Sequence, residues 1–193
     1  VYLDGTGNAS ITGGDIDGGS TDACGINDLD IDINAFDCAD VGPNMVELTV
    51  TDNNTNTDTC HATVSVQDTV SPVANCRDIT VYLESDGMIS IPENEVNNAS
   101  SDACGINDMD IDNNDFSCDD VGPNMVVFTV TDNNSNTDTC HATVTVQDTV
   151  SPQAICQDIT VYLDGTGNAS ITAGDLDGGS TDACGINDLD IDI

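Results

Sequence analysis

Apolar and polar residues alternate with period two along most of this chain, the pattern of strands that bury one face and wet the other. In Met45 to Thr51, Val46, Leu48 and Val50 fall on one side, and Glu47, Thr49 and Thr51 on the other. A later stretch, Met125 to Thr131, keeps Val126, Phe128 and Val130 on the inner side while Val127 replaces the outward Glu47. Cys60, Ala62, Val64 and Val66 form another inward row opposite His61, Thr63, Ser65 and Gln67, and Ile79, Val81 and Leu83 form a third. Shorter strands are expected at Ser10 to Thr12, Leu29 to Ile33 and Phe36 to Cys38, between clusters of Gly, Asn and Asp. No helical period competes with these strands.

The pattern itself recurs. VYLDGTGNASIT at residue 1 returns as VYLESDGMISIP at 81 and unchanged at 161, so the period is 80 residues, and every cysteine obeys it. Each unit holds about seven short strands, the sequence signature of an immunoglobulin-like sandwich. The expected fold is therefore all-β: tandem immunoglobulin-like β-sandwich domains set end to end as a rod. The units run over residues 1–67, lacking a first segment, then 68–147, complete with its linker, then 148–193, a partial copy. Boundaries fall at VQDTVSP, residues 66 to 72 and 146 to 152, because Pro72 and Pro152 cannot donate a ladder hydrogen bond. The two incomplete copies read as a window on a longer array.

Charge narrows the function. With 36 acidic residues and a single Lys or Arg, Arg77, the formal net charge is -35. Nucleic acid needs basic groups to displace counterions, and an anionic membrane surface repels such a chain. The absence of Lys excludes Schiff-base chemistry and a Walker-type phosphate loop. What remains is a cationic partner, the simplest being a metal ion. The nine cysteines show no zinc-knuckle spacing and read as disulfides, which places the chain outside the cytosol, and no membrane span or signal peptide is apparent. Four cysteines per unit allow three connectivities, and spacing alone does not choose among them.

Several motifs together resemble the hyalin-repeat family, and more closely the tandem repeats of large bacterial cell-surface adhesins of the Bacteroidetes type. They are C-x-D-I-T-V-Y-L from Cys76 and Cys156, S-x-D-x-C-G-I from Ser100, F-x-C at Phe116 to Cys118, L-T-V-T-D at Leu48 to Asp52, and C-x-A-T-V-x-V-Q-D-T-x-x-P from Cys60 to Pro72. The resemblance implies an immunoglobulin-like sandwich, an extracellular or cell-surface location, and a non-catalytic role in adhesion or surface structure. By the same resemblance Cys76 pairs with Cys140, leaving Cys104 with Cys118 and Cys24 with Cys38. One departure stands out: the family commonly has Gly-Asn in its late loop, whereas Thr55-Asn56 and Ser135-Asn136 stand here, and Thr resists the positive φ that Gly allows.

In such a sandwich the loop after the second strand, the loop before the last strand and the incoming linker meet at one pole. Those segments carry Asp102, then Asp132 with Asn133 and Asn134, and then Asp68. Calcium takes six to eight hard oxygen ligands of this kind. A calcium site is expected at each junction, Asp68 joining Asp102 and Asp132. The next junction uses Asp148 and Asp182, and the first copy holds Asp22, Asp52 and Asn54 at equivalent places. The competing reading gives these residues to turn chemistry alone. The run at 52 to 58 lacks the Gly and Glu of an EF-hand loop, and the Asp28, Asp30, Asp32 ladder reads as a solvated acidic face. His61 and His141 lie outward with no recurring catalytic constellation around them. The expected function is a calcium-stiffened, disulfide-stapled array forming an adhesin stalk or filament, by self-association or tandem continuation. The alternatives are a glycan- or protein-binding module and a calcium-reservoir matrix protein.

Overall fold

A computed structural model describes residues 1–192. The alternating stretches form strands β1 (Asn8–Ser10), β2 (Ile26–Ile31), β3 (Ala35–Asp37), β4 (Gly42–Asp52), β5 (Thr57–Val66), β6 (Ile79–Tyr82), β7 (Met88–Ser90), β8 (Ile106–Ile111), β9 (Asp115–Ser117), β10 (Gly122–Asp132) and β11 (Thr137–Gln147). They assemble as two-stranded sheets β1-β3 and β7-β9, a three-stranded sheet β2-β4-β5 and a four-stranded sheet β6-β11-β10-β8. The fold is all-β, as the alternation predicts. Two four-residue helices, α1 (Gly13–Ile16) and α2 (Ala173–Leu176), interrupt it. Their origin is local: Asp15 Oδ2 accepts from the Thr12 backbone N–H at 2.7 Å and from the Thr12 hydroxyl at 2.8 Å, a capping box that winds one turn.

By chain contacts the molecule divides into two compact units. The first comprises Val1–Asn75, Ala99–Asp110 and Thr129–Cys140. The second comprises Cys76–Asn98, Ile111–Phe128 and the described residues from His141 onward.

In the first unit β4 and β5 pair antiparallel from Gly42↔Val66 to Thr51↔Thr57, and β2 lies along the other edge of β4. This register puts Val46 and Leu48 on the inner face, both essentially without exposure. Leu3, Phe36, Val46, Val64 and Val66 form one core cluster, against which Ile11, Ile16, Ile31, Cys38 and Cys104 pack. Cys60, expected inward, is exposed because β5 runs past the core at its Thr57 end. In the second unit β6 runs parallel to β11, from Ile79↔Val144 to Tyr82↔Gln147. Its buried apolar residues include Leu83, Val96, Phe116, Val126, Phe128, Val144 and Val146.

The disulfides depart from the expected pairing. Cys38 bonds Cys104 and Cys118 bonds Cys184, each with a Cα–Cα distance of 5.1 Å and a sequence separation of 66. Cys24, Cys60 and Cys156 are free and exposed. Cys76 and Cys140 are both disulfide-bonded, as the resemblance implies for each. The expected Cys24–Cys38 and Cys104–Cys118 pairs are thus replaced by bonds that tie one sequence repeat to the next. Strand length explains why the first of them fails. Asn53 Nδ2 donates to the Cys24 carbonyl at the Asp52 end of β4, whereas Cys38 precedes its Gly42 end. The strand has eleven residues, and its ten steps at ~3.3 Å each span about 33 Å, far beyond a disulfide. Gly7 makes room for the staple: a Cβ there would lie 2.6 Å from Cys38 Sγ.

Candidate metal centre

The loop between β10 and β11 is built around Asp132. Its Oδ1 accepts the backbone N–H groups of Asn134 at 2.8 Å and Asn136 at 2.7 Å, and its Oδ2 accepts Asn136 Nδ2 at 2.7 Å. Asp52 repeats the arrangement at 2.7, 2.8 and 2.8 Å with Asn54 and Asn56. These carboxylates hold turns, the alternative reading of their loops. The turns are tight enough to force Thr55 to φ 70° and Ser135 to φ 72°, the left-handed conformation questioned from the sequence. A non-Gly residue pays ~1–2 kcal/mol there. Ser135→Gly, and separately Thr55→Gly, is therefore expected to raise stability by about 1 kcal/mol in urea unfolding.

Hydrogen bonds to Asp52, from the Asn56 side chain first, then the Asn56 and Asn54 backbone, hold its carboxyl below the usual aspartate range. Asp4, Asp15 and Asp17 are lowered in the same way by their own loop donors. A lowered folded-state value means stability that is fully present above the unfolded value of about 3.9 and is lost as pH falls through the folded one. Asp52→Asn is accordingly expected to make the decline in stability below about pH 3.9 shallower, as followed by circular dichroism.

The linker reaches this loop along several hydrogen bonds. Val73 and Ser101 exchange backbone bonds of 2.8 and 3.1 Å, the Ala74 N–H donates to Asp138 Oδ2 at 2.9 Å, and the Asn75 N–H donates to Ser100 Oγ at 3.0 Å. Asn136 Nδ2 also lies 3.3 Å from the Asp68 carbonyl. Pinned in this way, Asp68 is 8% exposed. Its Oδ1 accepts the Val70 N–H at 3.0 Å, while its Oδ2 is buried with no hydrogen-bond partner. Asp102 Oδ2 accepts the Cys104 N–H at 2.7 Å. An oxygen of Asp68, an oxygen of Asp102 and Cys104 Sγ all lie within 4.8 Å of one another. Since Cys104 Sγ is bonded to Cys38, the converging charges are two carboxylates.

A second group of this kind brings together Asp148, Asp182 and Cys184, again within 4.8 Å. Asp148 Oδ1 accepts the Val150 N–H at 2.9 Å and Asp182 Oδ1 the Cys184 N–H at 2.8 Å, leaving Asp182 Oδ2 buried and unpartnered. The expected pairs Asp68 with Asp102 and Asp148 with Asp182 are therefore brought together. Asp132 stands outside both groups, and Asn134 lines an open groove beside Asp68 and Thr69. Asp22 and Asp52 line one concavity with Asn56 and Asp58, whereas Asn54 is exposed and gives its backbone N–H to Asp52.

Two residues outside the carboxylate set position the centre: Asn136, expected only as part of the turn, and Asn133, expected at the pole beside Asp132. Asn136 ties the Asp132 turn to the linker, and Asn133 donates Nδ2 to the Cys104 carbonyl at 2.7 Å. A signal for the second was present: Gly105 has φ 96°, and a Cβ there would lie 2.8 Å from Asn133 Nδ2, so the C-G dipeptide and the D-N-N run belong to one latch.

An uncompensated buried carboxylate costs several kcal/mol unless a cation meets it. The one Arg or Lys of the chain, Arg77, donates its Nε–H to the Glu95 carbonyl at 2.8 Å. Among the described residues, the side-chain contact of salt-bridge geometry is His61 Nε2 with Glu47 Oε2 at 3.4 Å. Two converging carboxylates, one with a buried and unpartnered oxygen, therefore suit a hard divalent cation.

No protein-family profile matches the chain, and no curated protein matches it. Among solved structures, extracellular cadherin domains 1–4 of protocadherin gamma B7 are similar at 12% identity and a TM-score of 0.34, over 72% of this chain and 46% of that one. The chain thus spans less than half the length of that structure. Six of the nine cysteines are disulfide-bonded, which fits an oxidising, extracellular environment. No helix among the described residues is long and apolar enough to cross a membrane.

Proposed function

We propose that this chain is a non-catalytic extracellular structural array of tandem immunoglobulin-like repeats whose junctions are stapled by disulfides and clamped by calcium. The array serves as an adhesin stalk or a surface filament. The observation that carries this reading is Asp68: a carboxylate more than nine-tenths buried, with one oxygen unpartnered, facing the carboxylate of Asp102 across the junction of two sequence repeats. Two such anions repel unless an ion lies between them, and once it does, linker and loop become one body.

Calcium suits the site better than magnesium. The oxygens come from loops and a linker of irregular geometry, and magnesium demands a near-ideal octahedron while keeping much of its water. The acidic residues on exposed strand faces then contribute solubility and mutual repulsion between neighbouring arrays. The 36 acids and one basic residue make cations the natural counter-ions throughout, but burial singles out the junctions.

Small-angle scattering of the chain in calcium and in chelator tests the stiffening. A narrower distance distribution with a longer maximum dimension in calcium is expected. Superimposable curves would sink the mechanical part of this reading.

A further inference from the structure

The Cys38–Cys104 staple ends inside the cation site: Cys104 Sγ belongs to the group of atoms that lie within 4.8 Å of one another with Asp68 and Asp102. While the disulfide is closed, that sulfur carries no charge and is a poor ligand. We propose that opening the staple turns the junction into a second kind of metal site, a thiolate with two carboxylates, which takes a borderline or soft divalent ion of the zinc and cadmium class. The oxidation state of the disulfide then selects the ion: oxygen-only and calcium-type when closed, sulfur-containing and zinc-type when open.

Three hydrogen bonds that do not involve the disulfide hold the Cys104 backbone in place. Its N–H donates to Asp102 Oδ2 at 2.7 Å, its carbonyl accepts Asn133 Nδ2 at 2.7 Å, and the next residue's carbonyl accepts the Asn133 N–H at 3.1 Å. Breaking the sulfur–sulfur bond therefore leaves Cys104 Sγ beside the two aspartates. Asp68, whose Oδ2 is buried and without a hydrogen-bond partner, supplies a carboxylate oxygen of the same group as the second ligand. Ligands of a tetrahedral zinc ion lie roughly 3.3 to 3.8 Å apart, given metal–oxygen and metal–sulfur distances of about 2.0 and 2.3 Å, so the three atoms need close only modestly. A thiolate favours zinc and cadmium, whereas calcium gains nothing from sulfur.

The redox step balances with an external thiol as the reductant: two RSH reduce the staple to two cysteine thiols and leave as RS–SR. The Cys104 thiol then loses its proton to water as the metal binds. Cys184, with Asp148 and Asp182, forms the same arrangement at the next junction.

This inference rests on the same carboxylate pair as the calcium reading, yet the two fail separately. Calcium binding is measured on the oxidised chain. The thiolate site is measured on Cys38→Ser, which frees the Cys104 thiol without any reductant, against Cys38→Ser with Cys104→Ser, which lacks the staple equally. Titration with cadmium alone, followed by its sulfur-to-metal absorption, is expected to show one more equivalent bound in the single variant, weakened at least tenfold by adding Asp68→Asn. Identical cadmium stoichiometry in the two variants overturns the proposal. Should Cys38→Ser not fold, thiol-reduced wild-type chain answers the same question by alkylation and mass spectrometry. Cadmium is expected to protect Cys104 at least fivefold more than the exposed Cys24, and equal protection of the two contradicts it.

Discussion

Asp68→Asn is expected to stabilise the chain in chelator and to abolish the gain in melting temperature that calcium gives at the first junction. The two effects have opposite signs because one carboxylate causes both. Without a cation, Asp68 holds a buried charge whose Oδ2 has no partner. Removing it while the amide oxygen keeps the Val70 bond recovers about 1–3 kcal/mol. In the proposed calcium site, that charge is what the ion binds. At a calcium level a hundred times the dissociation constant, one site contributes about 2.7 kcal/mol, and for a chain of this size each kcal/mol moves the melting temperature by roughly 2–4 °C. Wild-type chain should thus melt about 5–10 °C higher in calcium than in chelator through this junction. A purely structural Asp68 would give a loss of similar size under both conditions, and differential scanning calorimetry of the two proteins separates the cases.

The second large effect belongs to the staple. Cys38 and Cys104 are 66 residues apart, a long loop to close. Chain-entropy bookkeeping for a loop of that length gives about 4 kcal/mol of stabilisation, drawn from the unfolded state. Cys38→Ser with Cys104→Ser is expected to lose about that much in urea unfolding under non-reducing conditions. The midpoint should fall while the exposed free cysteines Cys24 and Cys60, replaced by serine as controls, leave it within about 0.5 kcal/mol. Part of the loss will come from the core, since the bonded sulfurs of Cys38 and Cys104 pack against the cluster of Leu3, Phe36 and Val66. A variant as stable as the parent would mean that the linker and the Asp102 loop hold together without the bond.

Which parts of this were legible in the sequence follows from the range of the forces involved. Alternation along β4 and β10 is a local property, so the inward placement of Val46, Leu48, Val126 and Phe128 could be read directly. The convergence of Asp68 with Asp102, and of Asp148 with Asp182, also follows from topology once the linker and the loop are assigned to one pole. The disulfides do not follow, because a period of 80 residues assigns each cysteine to a class but not to a copy. Cys24 and Cys38 belong to one repeat by sequence, yet they flank opposite ends of an eleven-residue strand. Only the path of the linker shows that Cys104 comes to Cys38 from the next repeat. The role of Asp132 was hidden for a different reason. A carboxylate that closes an Asx turn and one that binds calcium use the same residue type in the same loop, and the three turn donors on Asp132 depend on how that loop folds.

Asn136 links these two levels. Its side chain satisfies Asp132 and touches the linker carbonyl at Asp68, so the turn that strains Ser135 is also the turn that seats the candidate ligand. The left-handed Ser135 therefore has a structural purpose, and relieving it with glycine should stabilise the chain without moving Asp68.

Isothermal titration calorimetry of the oxidised chain with calcium tests the central claim most directly. Two tight sites per chain are expected, one at Asp68 with Asp102 and one at Asp148 with Asp182, with Asp68→Asn removing one of them. No binding, or many weak sites with a profile unchanged in Asp68→Asn, would contradict it.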